Sequence, residues 1–267
     1  HGRVLFHVQG DPDNEEDKRL LSEGNVIIAA YDEEGGNILW TWHIWLTDRV
    51  KAQGYPNGYI VQDRNLGAIS SEPDGANGMD GLYYQWGRPT PFKPASSGIY
   101  GAVERVPSVA THAASVEEAI VNPTTMYGSG DTSRYDWLAT SNNALWGYQN
   151  EYTDLEKTMY DPCPVGWKVP SYEEISGMSY YGEGSSYGLK MSVNNSLISW
   201  FGFGDYMHSD GSYYSIMGEV CYWTTNYQPQ WNNVRALYLY NGQVYNGHES
   251  WDRNPSDAYP VRCMKDE

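Results

Sequence analysis

Two segments near the C-terminal end combine aromatic rings with amides and carboxylates: Tyr227-Gln228-Pro229-Gln230-Trp231-Asn232-Asn233 and Asn246-Gly247-His248-Glu249-Ser250-Trp251-Asp252-Arg253-Asn254. These are residue types suited to carbohydrate. An aromatic face stacks on the apolar side of a sugar ring while Asn, Asp and Glu take its hydroxyls, and the same oxygens can ligate calcium. Tyr227, Trp231, Asn232, Asn233, Glu249, Trp251 and Asp252 are therefore the candidate ligand-binding residues. A Gly/Asn-rich hairpin loop has the same composition without any ligand, so each segment also reads as plain loop structure. A third segment, Asp74-Gly75-Ala76-Asn77-Gly78-Met79-Asp80-Gly81, offers oxygens from Asp74, Asn77 and Asp80 to a hard cation such as calcium. Without a cation it reads as a pair of tight turns. The acidic run Asp11-Pro12-Asp13-Asn14-Glu15-Glu16-Asp17 places Glu16 where a calcium loop needs glycine, and it reads as a solvated charge run.

Several signatures of catalysis are missing. The sequence contains no His-Glu-x-x-His, no phosphate-binding Gly-x-x-x-x-Gly-Lys and no nucleotide-binding Gly-x-Gly-x-x-Gly. No spacing among the 34 acidic residues singles out a pair for glycoside hydrolysis. The six histidines are scattered at positions 1, 7, 43, 112, 208 and 248, and His43 and His208 receive no role. The expectation is a binding protein rather than an enzyme.

The elements that must position these residues are mostly strands. Residues 25–31 and 37–46 read as a hairpin joined by Asp32-Glu33-Glu34-Gly35-Gly36. In its second strand Ile38, Trp40, Trp42 and Ile44 share one face by period 2, which predicts that this face is core. Helix starts are signalled at Ser115-Val116-Glu117-Glu118 and Ser171-Tyr172-Glu173-Glu174, where a Ser hydroxyl and a Glu three residues later can cap each other's amides. Asn122-Pro123 ends the first helix, and Gly177 or Gly182 ends the second. Strands are predicted at residues 59–65, 219–225, 234–240, 243–245 and 258–264, the last four forming an antiparallel meander with Asn241-Gly242 as a tight turn.

The chain has 267 residues, of which 40% are hydrophobic, enough for a sizeable core in one domain. Residues 25–267 show no linker or repeat, and residues 1–24 read as a remnant of a preceding domain or a connector. The opening His1-Gly2-Arg3-Val4 has neither an initiator Met nor an apolar h-region, as expected of a cut chain. No apolar run approaches the roughly 18 residues of a membrane span. A formal net charge of −17 repels phosphate backbones, so nucleic acid is excluded as a partner. The 24 Tyr and 11 Trp against 4 Phe favour rings with a polar handle, which suit half-buried interface positions.

Cys163, Cys221 and Cys263 allow three different single bridges, and counting does not choose among them. None forms a Cys-x-x-Cys pair, which argues against structural zinc. The apolar neighbours of Cys221 suit a buried thiol.

Several segments together resemble a known family. They are residues 24–45, Asp63-Arg64-Asn65-Leu66-Gly67-Ala68, Gly81-Leu82-Tyr83-Tyr84-Gln85-Trp86-Gly87-Arg88, Ala119-Ile120-Val121-Asn122-Pro123-Thr124-Thr125, Asp161-Pro162-Cys163-Pro164-Val165-Gly166-Trp167-Lys168-Val169-Pro170, Tyr222-Trp223-Thr224-Thr225 and Pro260-Val261-Arg262-Cys263. In order and spacing the chain resembles the Fibrobacter succinogenes major paralogous domain over about residues 24–265. That domain occurs in surface lipoproteins and in fimbrial-tip or adhesin-like proteins of Bacteroidetes. The resemblance implies an α+β, C-type-lectin-like domain: mostly antiparallel β-strands and long ordered loops, with two short helices. It also implies a long-range disulfide between Cys163 and Cys263. The implied place is the outside of a bacterial cell, outer-membrane-anchored or fimbria-associated. The implied role is adhesion to a glycan or protein, or assembly with other fimbrial subunits. The element Trp231-Asn232-Asn233 is only loosely similar to a lectin Trp-Asn-Asp, since Asn233 stands where the carboxylate would be.

Overall fold

The computed structural model describes residues 5–6, 23–55, 57–73, 78–93, 107–130, 135–147, 156–176, 181–184, 188–193, 197–202, 206–214, 219–228, 230–240, 243–244 and 252–266. The chain order begins β1 (Gly24–Tyr31), β2 (Ile38–Leu46), β3 (Ala52–Gly54), β4 (Ile60–Gln62), β5 (Tyr83–Gln85), β6 (Ser108–Ala110), α1 (Val116–Val121), β7 (Thr125–Tyr127), β8 (Trp167–Lys168) and α2 (Tyr172–Ser176). It continues with β9 (Tyr181–Gly184), β10 (Gly188–Val193), β11 (Leu197–Gly202), β12 (Tyr206–Met207), β13 (Tyr213–Tyr214), β14 (Glu219–Tyr222) and β15 (Tyr227–Gln228). The last elements are β16 (Asn233–Arg235), β17 (Leu237–Tyr240), β18 (Gln243–Val244), β19 (Asp252–Arg253), β20 (Ala258–Pro260) and β21 (Met264–Lys265). Among the described residues the protein is thus mostly antiparallel β with two short helices. Among the described residues β6 and β7 form the one parallel strand pair.

The strands fall into small sheets. The larger ones run β13-β12-β20-β5 and β3-β4-β21-β8, beside β11-β10-β9, β14-β17-β18 and β15-β16-β19. The C-terminal third is antiparallel, as the sequence predicts, yet it is divided among sheets rather than laid out as one meander. Ala236, between β16 and β17, is where the chain leaves one sheet for another. The Asn241-Gly242 turn and the acidic run at residues 11–17 lie outside the described residues.

The predicted hairpin forms, with Ile28 opposite Trp42. Asp32 closes it: its Oδ1 accepts the backbone N–H of both Glu33 and Asn37 at 2.8 Å. The inward face, however, is not the expected one. Thr41 is buried with its hydroxyl 2.6 Å from that of Thr90, and the Trp45 indole donates to Ala68 O at 3.1 Å. His43 lies between Asn25 Oδ1, 2.8 Å from Nε2, and the Tyr84 hydroxyl, 3.2 Å from Nδ1. Trp42, on the other face, stays 36% exposed. The hairpin covers a body whose carbonyls and hydroxyls need partners, and the face with polar atoms supplies them.

Both helix signals hold. Ser115 Oγ accepts from Glu118 N at 3.1 Å at the start of α1. At α2 the exchange is reciprocal: Glu174 N donates to Ser171 Oγ at 3.2 Å and Ser171 N to Glu174 Oε2 at 2.7 Å. Gly177 lies outside the described residues.

The core is built of tryptophan, tyrosine and arginine. Buried indoles cross-link distant segments: Trp86 donates to Thr224 O at 3.0 Å, Trp137 to Trp86 O at 2.7 Å and Trp223 to Tyr84 O at 2.6 Å. Arg88 is fully buried and spreads its guanidinium over Thr125 O (2.6 Å), Ala119 O (3.2 Å), Pro123 O (3.3 Å) and Gln85 Oε1 (2.9 Å). It thereby caps the carbonyl end of α1, where partial negative charge accumulates. Arg262 similarly joins Asn65 Oδ1 (3.0 Å) to Trp200 O (2.7 Å). Gly81, at φ +75°, lets the chain pass Leu66, whose carbonyl oxygen would lie 2.7 Å from any added Cβ. The disulfide is Cys163–Cys263, and Cys221 is buried outside it.

Candidate functional site

The sheet β15-β16-β19 brings residues 252–253 of the second C-terminal segment to the first. Tyr227 pairs with Val234, and Arg235 pairs with Asp252, so the Trp231 turn and the start of β19 flank one central strand. The turn is closed by Trp231 N donating to Gln228 O at 3.1 Å, and Asn232 adopts φ +50°, a left-handed conformation that asparagine tolerates. This geometry leaves the Trp231 ring 68% exposed on a rigid base.

Tyr227 is the base. It is 1% exposed and packs 5.1 Å from the Trp86 ring, so it serves the core rather than a ligand. Its hydroxyl donates to Asp136 Oδ2 at 2.8 Å and lies 3.4 Å from Asn232 Oδ1. Tyr135, beside Asp136, is the second non-glycine residue at positive φ among the described residues, and its ring is 48% exposed. Its carbonyl is held by Ser256, from N at 3.2 Å and from Oγ at 2.8 Å. Two left-handed residues thus sit on either side of one hydroxyl, each beside or bearing an exposed ring. Backbone strain of this kind costs of order 1–3 kcal/mol and concentrates at functional surfaces. Sequence reasoning missed Tyr135 and Asp136.

The polar rim comes from β16 and α2. Arg235 lies 4.4 Å over the Tyr172 ring and 3.7 Å from Glu173 Oε1. Asn226 fixes α2 by accepting from Tyr172 N at 2.6 Å and donating to Glu173 Oε2 at 2.7 Å. Asn232 and Asn233 are half-buried. Rings, carboxamides and an arginine in this arrangement can stack and hydrogen-bond, which is recognition chemistry.

The remaining candidates lie elsewhere or outside the description. Glu249, Trp251, Asp74 and Asn77 are outside the described residues, and Asp252 is described by its backbone pairing. Asp80 belongs to another part of the molecule, where its carbonyl accepts from Asn65 Nδ2 at 3.0 Å. Among the described residues no group of three or more His, Cys, Asp or Glu could hold a metal ion. Gly184-Ser185-Ser186-Tyr187-Gly188 has the spacing of a serine nucleophile elbow, but it joins the antiparallel strands β9 and β10, whereas an elbow needs strand, turn and helix. His208, given no role above, has Nδ1 3.7 Å from Asp257 Oδ1, and that carboxylate raises its pKa.

Two clefts flank the β1-β2 hairpin. One, of about 430 Å³, lies along β1 between Val26 and Phe92. The other, of about 780 Å³, runs along residues 40–45 of β2, facing residues 157–159 and 161–165. Asp161 orders that facing loop. Its carboxylate takes the N–H of Cys163 at 2.8 Å and of Val169 at 2.9 Å, and Lys157 Nζ at 2.7 Å. Burial raises the Asp161 pKa, and Lys157 opposes that shift.

No family model, curated protein or solved structure matches the chain. No helix among the described residues is long and apolar enough to cross a membrane.

Proposed function

We propose that the chain is a non-enzymatic binding module of the bacterial cell exterior, with a C-type-lectin-like domain that recognises a glycan or a protein through the surface around Trp231. The observation that carries this reading is the exposed Trp231 ring, presented by a left-handed Asn232 on a sheet whose other face is core. Tyr135 supplies a second exposed ring beside Asp136, and Arg235 and the carboxamides supply hydrogen bonds. The Cys163–Cys263 bridge supports an oxidising location and agrees with the pairing that the family resemblance implies. A second reading, a tip or capping module of a fimbria-like fibre, draws on the exposed apolar residues Val26, Leu39 and Trp42 of the hairpin.

The test is binding of fluorescently labelled protein to a broad glycan array, with calcium and with chelator, for the native chain and for Trp231→Ala. Saturable binding lost in the variant supports the glycan reading, and loss on chelation adds a cation to it. Undiminished binding by Trp231→Ala overturns the assignment of this surface. Absence of binding on every glycan moves the proposal to a protein partner.

A further inference from the structure

We propose a second binding site, independent of the Trp231 surface. The cleft along β2 receives an extended peptide of a partner protein as an added strand, with apolar side chains at alternate positions and a Lys or Arg at the end that meets the Asp32-Glu33-Glu34 turn.

The hairpin is a sheet of two strands, and no described residue outside it makes a backbone hydrogen bond to the outer edge of β2. An unpaired edge is a template for another strand, and soluble proteins ordinarily blunt it. Here it is bordered by a cleft. Residues of both faces of β2, 40–45 without a gap, line that cleft, so it follows the strand edge for about 20 Å at 3.3 Å per residue. Its volume of about 780 Å³ lies within the range of ligand sites. The opposite wall is fixed by the Cys163–Cys263 bridge and by Lys157 on Asp161. It contains Pro162 and Pro164, which have no N–H to offer, so an incoming backbone finds its ladder on β2. Apolar groups stand in water along the rims: Met159 is 65% exposed and Val165 98%. A row of peptide donors and acceptors between apolar rims fits an extended peptide, in which backbone bonds give affinity and alternate side chains give specificity.

Charge selects the partner. The exposed Asp32, Glu33 and Glu34 stand just before β2 begins, and the chain carries a net charge of −17, which disfavours a second copy and favours a basic peptide.

The test is selection of a displayed library of random peptides of about ten residues on the full chain, followed by fluorescence anisotropy and amide hydrogen exchange. Expected are selected peptides with alternating apolar residues and a terminal Lys or Arg, which protect the alternate amides of residues 40–45 that do not bond to β1. Their affinity should fall at least about tenfold with the double variant Met159→Glu, Val165→Glu, whose sites are exposed enough to leave folding intact. Equal affinity in that variant, or selection of no peptide, overturns the proposal. So does protection, in the free chain, of those alternate amides of 40–45 that do not bond to β1: as a monomer by sedimentation it shows the chain's own residues in the cleft, as a dimer a second copy. Trp231→Ala should leave peptide binding unchanged, which separates this site from the one proposed above.

Discussion

The Tyr227 hydroxyl donates to Asp136 Oδ2 at 2.8 Å, joining two buried side chains 91 residues apart. This bond ties the β15-β16 turn to the segment around Tyr135, so the two exposed rings are held by one interior contact.

Removing the hydroxyl with Tyr227→Phe takes one donor away from the buried Asp136 carboxylate. The expected cost is about 1–3 kcal/mol, read as a lower urea midpoint at unchanged slope. Binding at the Trp231 surface should weaken with it, because the turn loses its anchor.

Trp231→Ala should do the reverse. An exposed ring contributes little to folding, so stability should stay within about 0.5 kcal/mol while ligand binding is lost. Thermal melting and the glycan array measure the two effects on the same sample.

Arg88→Leu should lower stability by about 3 kcal/mol, a fall in Tm of roughly 6–12 °C. Four backbone carbonyls and the Gln85 side chain lose the guanidinium as a donor, Gln85 Oε1 keeping Tyr127 N and Asn122 O keeping Thr125 N. Burial lowers the guanidinium pKa to about 10, so it remains charged at neutral pH. Arg88→Lys should recover part of the loss, since a single ammonium cannot reach every carbonyl of the fork.

Acid should loosen the hairpin. Burial lowers the His43 pKa from 6.5 to about 4, so the folded state holds a neutral ring that bridges Asn25 and Tyr84. The folded pKa is depressed below the unfolded one. The contribution is therefore fully present above about pH 6.5 and is lost as pH falls towards 4. Relative to the intrinsic exchange rate at each pH, the protection of β1 and β2 amides should fall across that window in the native protein and stay flat in His43→Gln.

Replacing Cys163 and Cys263 together by Ser should cost up to about 4–5 kcal/mol in the chain-entropy model, since the bridge spans 100 residues. Denaturant unfolding measures it, and reduction of the native protein should reproduce most of the change.

Much of the local structure was legible in the sequence. Ser115 and Ser171 announced both helices because a cap and its partner lie within four residues, and Gly35-Gly36 announced the hairpin. What was not legible depended on distant partners. The outward turn of Trp42 follows from Thr90, Tyr84 and Ala68 reaching Thr41, His43 and Trp45, and no period-2 count contains them. Arg88 gave no sign of being interior, since its acceptors on α1 lie 31 or more residues away. Of the aromatic candidates, Trp231 lies on the surface while Tyr227 points inward as the turn's anchor. That difference is one of strand parity, which the short segments did not fix.

The division of labour in the β15-β16 turn has an evolutionary consequence. Tyr227 and Val234 are bolted into the core while residues 228 and 230–232 stand above it, so the turn behaves as an exchangeable cassette. Related chains could swap its contents, and with them their targets, without renegotiating the interior that holds it.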